Sequence, residues 1–425
     1  MNKSQNIIIQ PLVVNGNVNA IASKSYYQRA LAIALLSKGK TILNNVSDSG
    51  DVLAVKSILM QLGLELNEIN NTLTINNFNS IDSKNININV GESGLALRMF
   101  SFITSVISNS FTISGEGTLL SRPTKPLIDS LINSGLSVEN TNLPIHISGK
   151  ISKKHIEIDG SFSSQMLSGL LISLPLMPHD TLLTVKNPVS KPYIEMTLNL
   201  MSQFGISIQH QHYSEYQISG NQKYTAKEVN IEGDWSGAAN WLVGAAISGK
   251  ICVNNLNPES AQADRKILEA LKLYGAKIST ESNTIFVEKN EAKPFLFDAT
   301  DCPDIFPPLL LLAVSAKGTS RIKGRQRLLF KESNRSESLI DTFTKLGAKL
   351  EANDDEIVVY GSGILNGNQT IDSYNDHRIA MIAALSATLT NQAIEIINPH
   401  CVNKSYPNFF QDLQHCSQQK NIKYE

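Results

Sequence analysis

Apolar and polar positions along this chain follow a pattern that repeats. Five times a helical run of apolar residues ends in a short break centred on glycine and resumes as a strand. The segments are MQLGLEL at Gly63, LINSGLSV at Gly135, MSQFGISI at Gly205, LKLYGAKI at Gly275 and FTKLGAKL at Gly347, at intervals of 72, 70, 70 and 72 residues. Each glycine reads as the residue just past a helix, in the left-handed region that side chains disfavour. Upstream of each break stands a short β-rich strand, a polar loop and a helix, as in KTILNNVSDSGDVLAVKSILMQLG and KICVNNLNPESAQADRKILEALKLYG. A last segment, AIEIINPHCVNKSYPNFFQDL, keeps this order without the glycine. The period therefore predicts six copies of a β/α unit, as an open solenoid or as two globular halves of three units each. Strands rich in Val, Ile and Leu that alternate with helices make the class α/β.

Polar residues fall where these helices begin. In IASKSYYQRALAIALLSKG, Ser23, Lys24 and Ser25 precede an apolar run closed by Gly39, which predicts a helix from near Ser25 with Ser25 and Arg29 one turn apart. GESGLALRMF sets Gly94 and Arg98 one turn apart, and SRPTKPLIDSL places Arg122 before Pro123. IDGSFSSQMLSGLL offers Ser163, Ser164 and Gln165, and VSKPYIEMTL offers Ser190 and Tyr193. Asp304 heads the apolar run in DCPDIFPPLLLLA, KESNRSESLI holds Lys331, Glu332 and Arg335, YNDHRIAMIAALSA holds Asp376, His377 and Arg378, and CVNKSYPNFF holds Lys404. Singly, each is an ordinary cap or a solvated charge. Together, Lys24, Arg98, Arg122, Lys331, Arg335, Arg378 and Lys404 set cations at helix starts, where the helix dipole opposes them. A bound anion with several negative charges would offset that cost.

Composition narrows the classes. A chain of 425 residues with 42% hydrophobic and 18% charged content is a globular protein of two or three domains. A net charge of −1 gives no global field toward nucleic acid or an anionic membrane. The opening MNKSQNIIIQPL lacks the apolar core of a secretory signal, and Leu309 to Val314 is too short to span a bilayer. Cys252, Cys302, Cys401 and Cys416 are scattered without a CxxC pair, so a reduced, cytoplasmic protein without a zinc site is expected. No P-loop, GxGxxG, HExxH, GxSxG or kinase signature occurs.

The motifs, taken in order, resemble those of the enolpyruvyl transferases, specifically the 5-enolpyruvylshikimate-3-phosphate synthase family, over essentially the whole length. They are SKS with Arg29, GxSGxxxR, RP, DGSxSSQ, SKPY, DxxD before an apolar run, KES with Arg335, YNDHR and a Lys near the C-terminus. The resemblance implies a two-domain inside-out α/β barrel of six βαβαββ units, three per domain, with helix N-termini at an interdomain cleft. It implies an N-terminal domain over residues 23–232 on the 3-phosphoshikimate side. Residues 1–22 and 233–425 would form a C-terminal domain on the phosphoenolpyruvate side. The implied reaction moves the carboxyvinyl group of phosphoenolpyruvate to the 5-hydroxyl of 3-phosphoshikimate and releases phosphate, within the shikimate pathway toward chorismate and the aromatic amino acids. Carried over by motif, Asp304 is the base near the hydroxyl, and Glu332 and Lys24 move protons near C3 and the leaving phosphate. Lys24, Ser25, Arg29, Ser163, Ser164, Gln165, Ser190, Tyr193, Asp304 and Lys331 would hold 3-phosphoshikimate. Lys24, Gly94, Arg122, Gln165, Arg335, Arg378 and Lys404 would hold phosphoenolpyruvate. No metal, no organic cofactor, no nucleic acid and no membrane is implied, and a monomer is expected.

The chain departs from the family pattern at Glu92, Leu95 and Met99, where GNxGTxxRP is usual, at Asn334 in KE[ST]DR, and at Arg327, where Asn is common. Leu95 and Met99 are expected to reshape their helix and weaken the family inhibitor glyphosate relative to phosphoenolpyruvate. Two other functions compete. A sister enzyme acting on UDP-N-acetylglucosamine shares the fold but uses a Cys in the region matching Gly115–Arg122, where this chain has none. A non-catalytic anion-binding repeat protein would keep the cations without needing Asp304 and Glu332.

Overall fold

A computed structural model of the chain describes residues 6–78 and 86–417, with the backbone of Lys423–Tyr424. The chain divides into two compact units, a continuous one of Ala22–Ile231 and a discontinuous one of Met1–Ile21 with Glu232–Glu425.

The continuous unit contains helices α1 (Lys24–Leu36), α2 (Gly50–Gln61), α3 (Gly94–Ile107), α4 (Lys125–Asn133), α5 (Ser164–Ser173) and α6 (Lys191–Gln203). In α1 every residue from Tyr26 to Leu35 is buried, and α3 is buried from Gly94 to Ser105. A helix apolar on all sides belongs inside a core, and α3 accordingly packs on α1 and α5. Among the described residues, three four-stranded sheets lie around these helices. In the first, Glu228–Asn230 runs parallel to Gly39–Asn44, which pairs antiparallel with Thr72–Asn77, itself antiparallel to Glu65–Ile69. The other two begin at Ile86–Asn89 and His155–Asp159 and repeat that pairing. Thr72–Asn77 buries alternate residues, so one sheet face meets the helices.

The discontinuous unit contains α7 (Trp235–Ser248), α8 (Ile267–Tyr274), α9 (Phe306–Ser315), α10 (Arg335–Lys345), α11 (His377–Ser386) and α12 (Phe409–Ser417). Here α9 and α11 are buried throughout, and α7 from Trp235 to Ile247. Its three sheets have the same pairing, and two of them take strands from the start of the chain. Asn15–Asn19 runs parallel to Lys250–Asn254, and Ile7–Ile9 lies between Ile394–Ile397 and Lys423–Tyr424.

The five periodic glycines take the conformation that the sequence predicts. Gly63, Gly135, Gly205, Gly275 and Gly347 have φ between +83° and +98° and follow α2, α4, α6, α8 and α10. After each, the next amide reaches back to the last helical turn, as Leu64 N–H does to Leu59 O at 3.0 Å and Ala276 N–H to Leu271 O at 3.0 Å. This is the six-to-one closure of a Schellman motif.

Candidate active site

In the continuous unit, the starts of α1, α3 and α5 are tied together. Gln28 Nε2 of α1 donates to Ser93 Oγ, the α3 cap, at 3.1 Å, and Arg98 Nη1 of α3 donates to Gln165 Oε1 of α5 at 2.7 Å. Lys24 opens α1 with its Nζ 2.7 Å from Asp51 Oδ2. Arg29, one turn on, is only 1% exposed. Its guanidinium donates to Thr197 Oγ1 at 2.8 Å, Ser25 O at 2.8 Å and Ser168 Oγ at 3.2 Å. These partners are hydroxyls and a carbonyl, so no carboxylate neutralises it there, and burial pulls its pKa down to about 10 while Tyr193 acts the other way. A buried guanidinium with N–H donors to spare favours an anionic ligand.

Gly94, the first residue of α3, is wedged between two guanidiniums. A methyl group there would approach Arg98 Nη1 to 2.7 Å and Arg122 Nη1 to 2.8 Å. Arg98 also lies over the Phe162 ring, and Arg122 Nη2 donates to Thr118 Oγ1 at 3.3 Å. Ser163 does what an ordinary cap does, since its Oγ accepts from Gln165 N–H at 3.2 Å. Ser164 is buried at the first position of α5, and Ser190 precedes α6 with a left-handed backbone, its carbonyl accepting from Tyr193 N–H at 3.0 Å. The expected residues Lys24, Ser25, Arg29, Gly94, Arg122, Ser163, Ser164, Gln165, Ser190 and Tyr193 all belong to this unit.

The discontinuous unit gathers Asp304, Lys331, Glu332 and Arg378 around Arg335, the first residue of α10, which is fully buried. Its guanidinium donates to Asp304 Oδ1 at 3.0 Å, to Asp376 Oδ2 at 2.9 Å and to Glu332 Oε2. Asp304 also meets Lys331 Nζ at 3.3 Å, and Arg378 donates to its carbonyl at 3.0 Å while standing 3.3 Å from its Oδ2. Burial alone would raise the Asp304 pKa, but Arg378, Lys331 and Arg335 outweigh it and hold the carboxyl well below the usual carboxylate range. Burial pulls the Lys331 ammonium down, with Asp304 opposing and Arg335 and Arg327 adding to the shift.

Two expectations change. Lys404 ends the turn Pro399–Lys404 rather than opening a helix, so the dipole favours it, and its Nζ donates to Asn375 O at 2.7 Å. Four of the seven cations also have carboxylates beside them already, since Asp51, Asp304, Glu332 and Asp376 sit against Lys24, Lys331, Arg335 and Arg378. Sequence reasoning left Asp51, Ser168 and Thr197 out, since none stands in a motif. Asp376 was legible as the α11 cap, whose side chain accepts from Arg378 N–H at 3.0 Å. Among the described residues no cluster of His, Cys, Asp and Glu is arranged to hold a metal ion.

The family model for EPSP synthase (3-phosphoshikimate 1-carboxyvinyltransferase) matches residues 9–413. The chain belongs to the EPSP synthase family. A 3-phosphoshikimate 1-carboxyvinyltransferase of Clostridium kluyveri is 33% identical over 411 residues, covering 96% of each protein. Its counterpart in Methanocorpusculum labreanum is 33% identical over 413 residues, 96% of this chain and 97% of that one. A third, from Buchnera aphidicola subsp. Cinara cedri, is 36% identical over 423 residues, 96% of each. A solved structure of EPSP synthase from Acinetobacter baumannii matches with a TM-score of 0.82 at 22% identity, covering 99% of both chains. The fold is therefore the two-domain inside-out α/β fold of EPSP synthase.

Against that family's pattern, the departures have visible consequences. Glu92 Oε2 accepts from Thr118 N–H and Thr118 Oγ1, both at 2.9 Å, which puts a carboxylate behind the hydroxyl that Arg122 uses. Leu95 and Met99 are buried in α3, and Met99 lies at the closest approach to Gly169 of α5. Asn334 still caps α10, accepting from Glu337 N–H at 3.5 Å. Arg327 adds a positive charge that acts on Lys331.

Proposed function

We propose that this chain transfers the carboxyvinyl group of phosphoenolpyruvate to the 5-hydroxyl of 3-phosphoshikimate, releasing phosphate in the shikimate pathway. One observation carries the chemical reading. Two carboxylates, Asp304 and Glu332, share one buried guanidinium, and two further cations stand on Asp304. An anion-binding scaffold has no need of paired acids among its cations; addition and elimination of a proton and a phosphate do.

In this reading Ser25, Arg29, Ser163, Ser164, Gln165, Ser190, Tyr193 and Lys331 hold 3-phosphoshikimate, and the buried Arg29 charge supports that role. Gly94, Arg122, Gln165, Arg335, Arg378 and Lys404 hold phosphoenolpyruvate, and Lys24 touches both substrates. Asp304 takes the proton of the 5-hydroxyl as the oxygen bonds to C2, while Glu332 or Lys24 protonates C3. The tetrahedral intermediate then returns a proton from the new methyl group and expels phosphate. Three cations on Asp304 make it a weak base before substrates bind, because the best general base has a pKa near the working pH. The negative charge of bound phosphoenolpyruvate offsets the field of Arg378 and Arg335 at Asp304, and the Asp304 carboxylate becomes more basic. The proposed enzyme is a cytoplasmic monomer, and four free thiols suit that compartment.

Phosphate release from phosphoenolpyruvate tests the reading with 3-phosphoshikimate, with UDP-N-acetylglucosamine, or with neither. Release with 3-phosphoshikimate alone is expected. Release with the nucleotide sugar only, or none, overturns it.

A further inference from the structure

Behind Arg378 lies a buried polar line that the reaction scheme does not use. Asp264, in the turn Ala263–Lys266, is 3% exposed, and Ser236, the second residue of α7, is 7% exposed. Ser236 Oγ donates to Asp264 Oδ2 and accepts from Arg378 Nη2 at 3.1 Å. Arg378 in turn holds Asp304 through its carbonyl at 3.0 Å and its Oδ2 at 3.3 Å. Burying a carboxylate this deeply is costly unless it is hydrogen-bonded and near a cation, and here Ser236 and Arg378 supply both.

A serine hydroxyl has a single proton, so the line has a direction. When Asp264 is ionised, that proton points at Asp264 and the oxygen lone pairs face the Arg378 guanidinium. When Asp264 is protonated, it donates to Ser236 instead, the serine proton swings to another direction, and the hydroxyl facing Arg378 no longer carries the pull of a carboxylate, so that hydrogen bond weakens. We propose that Asp264 is a positioning residue whose carboxylate, through the Ser236 hydroxyl, fixes Arg378 and thereby sets the affinity for phosphoenolpyruvate. This rests on the reading above that Arg378 holds phosphoenolpyruvate.

The charge state of Asp264 changes within the working range. Burial pushes its carboxyl up to about 7, Asp304 and Asp234 adding to the rise while Arg378 and the Ser236 hydrogen bond oppose it. The Cys302 thiol beside it is pushed up by burial and stays neutral. The line is therefore set above neutral pH and slack below it.

The test compares wild type with Asp264→Asn and Ser236→Ala from pH 6 to pH 8. Both substrates carry phosphates that titrate nearby, so the informative quantity is the wild-type to Asp264→Asn ratio of kcat/KM for phosphoenolpyruvate. That ratio should rise from near one at pH 6 to about tenfold at pH 8, mostly through KM, the size expected for one hydrogen bond to a charged group. Ser236→Ala should lose about as much, and the double variant no more than the worse single one. A ratio flat with pH, or losses that multiply in the double variant, overturns the proposal.

Melting temperature supplies a readout independent of turnover. The folded pKa of Asp264 lies above its unfolded value, so the stability tied to it is lost as pH rises through about 7. Asp264→Asn should therefore gain on wild type between pH 6 and 8, and a constant gap overturns the titration on which the proposal depends. Wild type inactive on both substrates would overturn the functional reading and the affinity claim together. An active wild type with a flat ratio would overturn this proposal alone.

Discussion

Asp304 is the residue on which most of the local charge balance rests. Removing its charge leaves Lys331, Arg335 and Arg378 facing one another, so Asp304→Asn should cost about 3 kcal/mol of stability as well as turnover. The folded pKa of Asp304 is depressed, so its contribution is present above the unfolded carboxylate value and is lost as pH falls through the folded one. The melting gap between wild type and Asp304→Asn should hold from pH 8 to about 4 and narrow only below that, and a gap that closes near neutral pH would refute this account. Gly94→Ala makes a different prediction. Its methyl displaces Arg98 and Arg122, so KM for phosphoenolpyruvate should rise about tenfold with little change for 3-phosphoshikimate, as steady-state kinetics would show. The motif residues were legible because each helix start carries an unusual polar group. Asp51, Ser168 and Thr197 were not, because what makes them matter is the distant side chain each one meets, Lys24 for Asp51 and Arg29 for the two hydroxyls.

The Gly-centred breaks were the clearest signal for the elements, and they need not all matter equally. Gly63 has open space where a side chain would go, so Gly63→Ala meets only the left-handed strain, about 1 kcal/mol. At Gly275 the same methyl would approach Glu291 O to 2.4 Å, so Gly275→Ala should cost about 2–4 kcal/mol. Urea midpoints would rank the two, and equal losses would show that space is not the deciding term. Helix α3 also carries Leu95 and Met99, from which weaker glyphosate inhibition is expected. Met99 is buried in an unbroken helix from Gly94 to Ile107, so proline there would cost about 3 kcal/mol and confuse any kinetic comparison. Leu95→Thr alone is the cleaner variant, and the ratio of the glyphosate inhibition constant to the phosphoenolpyruvate KM should fall. An unchanged ratio would clear Leu95. Sheet partners were harder to read than helices, since Glu228–Asn230 joins Gly39–Asn44 from the far end of its unit and no local pattern announces such a pairing.

Across the whole chain, the two units differ in how much they need the rest of the sequence. Ala22–Ile231 closes its sheets with its own strands, including Glu228–Asn230 from its last residues. The discontinuous unit does not, because Asn15–Asn19 and Ile7–Ile9 reach it from the start of the chain. Ile7, Ile9 and Val14 are fully buried and Val18 nearly so. At about 2 kcal/mol for each such side chain, their loss removes roughly 8 kcal/mol, comparable to the whole stability of a typical domain. Residues 22–231 made alone should therefore melt cooperatively, whereas residues 232–425 alone should not. Adding residues 1–21 as a peptide should restore a cooperative transition and near-ultraviolet circular dichroism to the second fragment. Neither fragment alone should release phosphate from phosphoenolpyruvate, because the proposed reaction uses Lys24 and Arg29, which lie in one unit, as well as Asp304 and Glu332, which lie in the other. A cooperative melt of residues 232–425 without the peptide would mean that the N-terminal strands decorate that unit rather than complete it.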